Sequence, residues 1–214
     1  MKTTNLTLIQ TLNNILRNAY SMNGFHRSFV WSDTQIQSFF TDLCIGVPIG
    51  TITTIDSGSA QLEHISTNLP FPKRNAPVLV IDGVQRLCSL AFGFLDLDPN
   101  RKVYFDLKQM FFSTTGNDSN YVVILNPDDP IFDGEEGLRY IELNTVMNDF
   151  HSIFRAKLYL ESAKIGADEW VQLIARITLL FENLRTVTIP FTELKNNHSL
   201  NSIKNAYVRL NTLT

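Results

Sequence analysis

Leu6, Leu8, Ile9, Leu12, Ile15 and Leu16 recur at helical spacing and predict an amphipathic helix of about three turns. The pattern fades at Ala19-Tyr20-Ser21-Met22-Asn23-Gly24, a turn-like stretch. Phe25-His26-Arg27-Ser28-Phe29-Val30-Trp31 follows, dense in aromatics around one arginine. Ser32 or Asp33 then caps a second helix, which carries Ile36, Phe39, Phe40 and Leu43 and ends at Gly46.

β-Branched residues dominate Val47 to Ile55 and predict a strand starting just after Pro48. Asp56-Ser57-Gly58-Ser59 reads as a turn, and Gln61 to Phe71 as irregular chain with a short strand. Pro77-Val78-Leu79-Val80-Ile81 is a continuous apolar run of strand length. Asp82-Gly83 follows at once, then a helical pattern through Val84, Leu87, Cys88, Leu90, Ala91 and Leu95. Val103 to Leu107 and Tyr121 to Leu125 read as two more strands, with Ser113 to Asn120 as a hairpin loop.

From about Leu138 the periodicity becomes helical. One stripe comprises Leu143, Val146, Met147, Phe150, Phe154, Leu158 and Tyr159; a second comprises Trp170, Leu173, Ile174, Ile177, Leu180, Phe181 and Leu184. Both read as core. Thr186 to Pro190 predicts a late strand and Ser199 to Leu210 a last helix. The expected fold class is α+β, a single domain over residues 1–214. Its sheet-containing core covers about 20–135 and its packed, mainly helical segment about 138–214.

Composition narrows the function classes. With 18 Lys+Arg against 21 Asp+Glu the net charge is −3, which argues against non-specific coating of nucleic acid. Cys44 and Cys88 each sit in an apolar stretch and read as buried thiols, not as a zinc site or a disulfide framework. The opening residues lack the apolar core of a secretory signal, and no apolar run approaches the roughly 18 residues of a membrane span. The expected location is the cytoplasm, with no membrane partner.

The sharpest chemical feature is the strand–turn–helix from Val78 to Leu87. A helix start leaves backbone N–H groups without intrahelical acceptors and makes an anion site. Gly83 permits close approach, and Arg86 in the first turn can fork onto a phosphate. Asp82 beside a phosphate calls for a bridging Mg²⁺, or for a role in orienting water or arginine. A second reading stays open: with Asp82 as N-cap, Gln85 falls at N3, and Asp-x-x-Gln is a capping box that needs no ligand. Arg27, between Phe25 and Phe29, reads equally as a stacked structural residue or as a ligand contact. The usual phosphate-loop, dinucleotide, nucleophile-elbow and zinc-protease motifs are absent, and none of His26, His64, His151 or His198 precedes a proline by three residues.

Several segments together carry a family resemblance. Phe25-His26-Arg27-Ser28-Phe29-Val30-Trp31 resembles the Y-Q-R-x-Y/F-x-W opening of the N-terminal domain of the GmrSD-type restriction family. Gly46-Val47-Pro48-Ile49-Gly50 is similar to its G-x-P-I-G entry to a strand. Ile81-Asp82-Gly83-Val84-Gln85-Arg86-Leu87-Cys88-Ser89-Leu90 resembles its signature I/V-D-G-Q-Q-R-L/T-x-S/T-L, and Tyr207 to Thr212 its F-x-R-x-N-S/T segment. His26 stands where the family usually has Gln, and Val84 replaces the first Gln of its pair.

The resemblance implies a ParB/sulfiredoxin-like core with a small mixed sheet and a nucleotide-phosphate site at the D-G-Q-Q-R turn. It implies NTP hydrolysis that controls a nuclease domain or subunit in defence against phage DNA. Carried over by motif, Asp82, Gln85 and Arg86 form the catalytic centre. Arg27, Gly83, Arg86, Arg209 and Asn211 bind the nucleotide, and Asp82 takes Mg²⁺. The expected partners are a nucleoside triphosphate, the nuclease, DNA through the complex and a second copy of the chain. The alternative is a non-catalytic sensor of nucleotide or modified DNA that recruits a nuclease. Direct DNA cleavage is a third reading, weakened by the missing metal-ligand cluster.

Overall fold

The computed structural model describes residues 1–22, 29–56, 78–112, 121–147, 149–164, 166–194, 205 and 208. In chain order the elements are β1 (Lys2–Thr7), α1 (Leu8–Leu16), β2 (Tyr20–Met22), α2 (Asp33–Cys44), β3 (Ile52–Asp56), β4 (Val78–Asp82) and α3 (Val84–Phe94). There follow β5 (Lys102–Asp106), α4 (Leu107–Phe112), β6 (Val122–Leu125), β7 (Tyr140–Glu142), α5 (Asp149–Ser162), α6 (Ala167–Thr186) and β8 (Thr188–Leu194). Short 3-10 segments cover Pro130–Asp133, Glu135–Arg139 and Leu143–Met147. The fold class is α+β, as expected.

The first element corrects the helix expected from Leu6 onward. Thr7 is the break: its hydroxyl accepts the Gln10 N–H at 3.2 Å, and the Gln10 carboxamide oxygen accepts the Thr7 N–H at 2.9 Å. This reciprocal capping box starts α1 at Leu8 and leaves Lys2–Thr7 to pair as a strand. The strand expected from Pro48 begins only at Ile52, because Gly50 has φ +82° and turns the chain first. A helix, α4, intervenes between the two strands expected to form a simple hairpin. The helical region expected from about Leu138 contains β7, and the first predicted stripe opens in a 3-10 segment before α5 begins. On the stripes read as core, Phe154 is 49% and Trp170 36% exposed. The predicted segments 61–71, 113–120 and most of 199–210 lie outside the described residues; Asn205 and Val208 are helical.

The chain divides into two compact units. One comprises Met1–Trp31, Pro48–Ala91 and Val187–Thr214; the other Ser32–Val47 and Phe92–Thr186. Pairing of β1 with β8 brings segments from both parts of the sequence into the first unit. In the first unit the sheet runs β1-β8-β3-β4-β2. The pairs β1–β8 and β3–β4 are antiparallel, and β8–β3 and β4–β2 parallel, so the sheet is mixed as expected. Ile55, Leu79 and Ile81 form a buried cluster against Leu194, and the Tyr20 ring stacks on Phe191 at 5.6 Å between centroids.

The second unit holds the antiparallel sheet β6-β5-β7 with α2, α4, α5 and α6. Ser32 caps α2 through a capping box with Gln35, which matches the sequence reading. Asp106 is buried at 3% exposure and accepts two bonds from Arg139, from Nε at 2.6 Å and Nη2 at 2.5 Å. Its Oδ1 also accepts the Lys108 and Gln109 N–H groups at the start of α4. A buried charge thus has both a partner and hydrogen bonds. Cys44 and Cys88 are buried and unbridged, as expected, and burial pushes both thiols upward. Among the described residues no helix is long and apolar enough to cross a membrane.

Candidate functional site

The site grows from the end of β4. Leu79, Val80 and Ile81 are at most 1% exposed, so the strand is fixed in the first unit's core up to Asp82. Opposite it, the ladder shifts register between Thr53 and Thr54: Thr53 faces Asp82, while Thr54 already faces Val80. Such an irregularity bends a strand and redirects its side chains.

Gly83 then makes the turn into α3 with φ +92°, a backbone geometry that L side chains rarely adopt. A Cβ at this position would stand 2.5 Å from Ile52 Cδ1, 3.2 Å from Arg86 Nη1 and 3.3 Å from Ile52 Cα. The glycine is therefore required twice, by backbone angle and by space. Its carbonyl accepts the Leu87 N–H at 3.1 Å, which makes Gly83 the residue before the helix proper. This corrects the capping-box reading with Asp82 as N-cap: Asp82 is the last residue of β4, one position too early.

Arg86 folds back over that turn. Its Nη1 donates to the Thr51 carbonyl oxygen at 2.7 Å, and its Nη2 lies 3.8 Å from Asp82 Oδ2. Gly50 borders the same guanidinium: a Cβ there would be 3.3 Å from Arg86 Cζ. The side chains of Arg86 and Asp82 are 26% and 28% exposed, so both reach solvent while being held from behind. Gln85 points elsewhere, its Oε1 accepting the Val30 N–H at 3.0 Å. Val84, at the family's first Gln position, is 5% exposed and packs into the interior.

The fold thus brings together Asp82, Gly83 and Arg86, with Gln85 adjacent and turned toward Val30. Arg27, Arg209 and Asn211 lie outside the described residues. Sequence reasoning missed Gly50, the Thr51 carbonyl and the Val30 amide as neighbours of the turn. The glycine closing Gly46-Val47-Pro48-Ile49-Gly50 was the available signal. The backbone groups carry none, because any residue supplies them. Among the described residues no group of three or more His, Cys, Asp or Glu stands together as a metal site. Asp82 is a single carboxylate, which suits a hard cation that keeps its waters and takes its remaining ligands from a phosphate.

A sequence model of the GmrSD restriction endonuclease N-terminal domain matches residues 8–213. The chain belongs to that family. No curated protein matches it. Membership places this GmrSD N-terminal domain in a restriction system, with a nuclease domain as the expected partner. The match spans all the described elements of the turn, from Val30 through Gly50 to Arg86.

Proposed function

We propose that this GmrSD N-terminal domain binds a nucleoside triphosphate at the Asp82–Arg86 turn, hydrolyses it, and thereby controls a DNA nuclease partner in the cytoplasm. The observation that supports this reading is the guanidinium of Arg86. It is held by Thr51 between two glycines at a helix start, with part of its surface open to solvent. One N–H is committed to Thr51, and the rest of the fork can receive phosphate oxygens. The first amides of α3 add donors, and the two glycines let backbone approach the anion closely.

Phosphoryl transfer asks mainly for charge stabilisation and alignment. Arg86 supplies the positive charge and Asp82 a carboxylate to orient an attacking water. Asp82 would hold Mg²⁺ against the phosphates, where the ion would neutralise negative charge. The Gln85 oxygen is engaged by Val30, so its part in this reading is to hold that segment against the helix start. Arg27, Arg209 and Asn211 enter by motif as further nucleotide contacts. The ParB/sulfiredoxin-like relationship and a homo-oligomer belong to the same reading.

The test is phosphate release from ATP, GTP, CTP and UTP, with and without Mg²⁺ and DNA, for wild type and Arg86→Ala. Turnover that disappears in the variant supports the reading. Unchanged nucleotide binding and turnover in Arg86→Ala overturn it. One observation favours the alternative of a non-catalytic sensor: Val84 is buried where the family usually carries a polar Gln. Nucleotide or DNA binding without Mg²⁺-dependent phosphate release identifies that alternative.

A further inference from the structure

The three-stranded sheet of the second unit has one ordinary face and one unusual face. Val103, Phe105 and Ile141 are at most 1% exposed and form the core side. Alternation puts Lys102, Tyr104 and Asp106 of β5, with Tyr140 and Glu142 of β7, on the opposite side. Tyr104 faces Glu142 and Asp106 faces Tyr140 across the ladder. A solvent face would be polar and exposed, yet Tyr104 and Tyr140 are 5% and 7% exposed. Between this face and its cover lies a cavity of about 310 Å³.

One wall is aromatic. Tyr104 and Phe132 lie 5.0 Å apart between centroids, Phe132 and Tyr140 5.8 Å, and Tyr104 and Tyr140 6.5 Å. The rings meet tilted or edge to face, at 32°, 64° and 75° between their planes, and leave no cage for a cation at their centre; Tyr104 and Tyr140 are buried, while Phe132 keeps part of its apolar surface open. Besides Pro127, the other lining groups are polar and held in place. Glu142 Oε1 accepts Lys102 Nζ at 2.7 Å, and Arg155 Nη2 donates to the Gly137 carbonyl at 2.7 Å. Thr145 Oγ1 donates to the Glu142 carbonyl at 2.7 Å. Arg155 Nε is buried without a hydrogen-bond partner among the described residues, which leaves part of this guanidinium's donor capacity unused.

Charge selects among ligands here. Glu142 and Arg155 oppose each other in sign, and Lys102 already answers Glu142, so the cavity favours neither an isolated phosphate nor an ammonium ion. What its walls match is a neutral flat ring with hydrogen-bond donors and acceptors along one edge. We propose that this cavity binds a nucleobase, stacked on Phe132 with its polar edge toward Glu142 and Arg155. Its volume is at the lower end of the range for ligand pockets and suits one base. Reading a base by stacking plus edge hydrogen bonds is how extruded or unpaired bases are held. The proposal is independent of the Arg86 site, since none of its residues belongs to that turn.

The test is titration of the full chain with cytidine, adenosine, guanosine and thymidine, and with two oligonucleotides. One oligonucleotide presents a single unpaired base; the other carries an abasic residue at that position. Binding of at least one nucleoside, or of the base-bearing strand over its abasic counterpart, is expected. The first result identifies a free nucleoside or nucleotide as the source, and the second a nucleic-acid strand. Phe132→Ala should weaken binding about tenfold or more, and Phe132→Leu, which keeps apolar volume without a ring, should do the same in a folded chain. Glu142→Gln should change which base is preferred. The proposal is overturned if folded wild type binds none of these probes, or if Phe132→Leu and Glu142→Gln leave binding and base order unchanged.

Discussion

Arg86 donates from Nη1 to the carbonyl oxygen of Thr51 at 2.7 Å, which ties the first turn of α3 to the residue before β3. Removing the side chain therefore has two separable effects. Arg86→Ala should cost stability by only about 1 kcal/mol, the net value of one partly exposed hydrogen bond. Nucleotide affinity should fall roughly tenfold or more through loss of charge-assisted bonds. Urea denaturation and nucleotide titration of the same preparation measure the two.

Glycine substitutions separate backbone strain from crowding. Gly46 and Gly83 both have positive φ, +77° and +92°, but a Cβ at Gly46 meets nothing within 4 Å. Gly46→Ala should destabilise by about 1–2 kcal/mol. Gly83→Ala carries that strain plus contact with Ile52, so its loss should exceed that of Gly46→Ala by a further ~1–3 kcal/mol. Equal thermal midpoints for the two variants would refute the crowding argument.

The Gln85–Val30 contact can be watched directly by amide exchange. Gln85→Ala should speed exchange of the Val30 N–H about fivefold, the effect of losing roughly 1 kcal/mol of hydrogen bonding. Gln85→Glu keeps an acceptor and should preserve protection, yet it should weaken nucleotide binding by placing a negative charge beside the proposed phosphate site. Identical Val30 exchange in wild type and Gln85→Ala would show that the contact is not held in solution.

Burial raises both thiols, Cys44 and Cys88, above their ordinary value of 9.0. The folded protein keeps them neutral while an unfolded chain ionises them, so their contribution is complete below about pH 9 and is lost as the pH rises above it. The slope approaches about 1.4 kcal/mol per pH unit for each thiol. Alkylation at pH 8 should be slow in the native state and rapid in denaturant. Urea midpoints between pH 8 and pH 10 check the sign, and a rise would contradict it.

Local signals in the sequence were the readable ones. The run Val78 to Ile81, the glycine after it and the helical pattern beyond located β4, the turn and α3 because each is specified by its own residues. Ser32 announced α2 for the same reason. β1 was hidden because Leu6 fits the helical pattern of α1, and its pairing partner is β8, at the other end of the chain. The capping box Thr7-Leu8-Ile9-Gln10 was the local sign that separated strand from helix. At the site, side chains such as Asp82 and Arg86 stood out, whereas the Thr51 carbonyl and Val30 amide depend on chain crossings that no spacing encodes.

The position of β8 sets a timetable for synthesis. It lies between β1 and β3, so β1, made first, has no neighbour in its sheet until residues 188–194 have left the ribosome. Throughout translation of the intervening chain, one edge of β3 also stays open, while its other edge pairs with the strand that carries Asp82. Unpaired edges of this kind recruit other strands, and long-range pairings close slowly. The sheet that carries the Asp82–Arg86 turn is therefore completed only after residues 188–194 have been made, and a nascent chain stalled before Thr188 should engage chaperones.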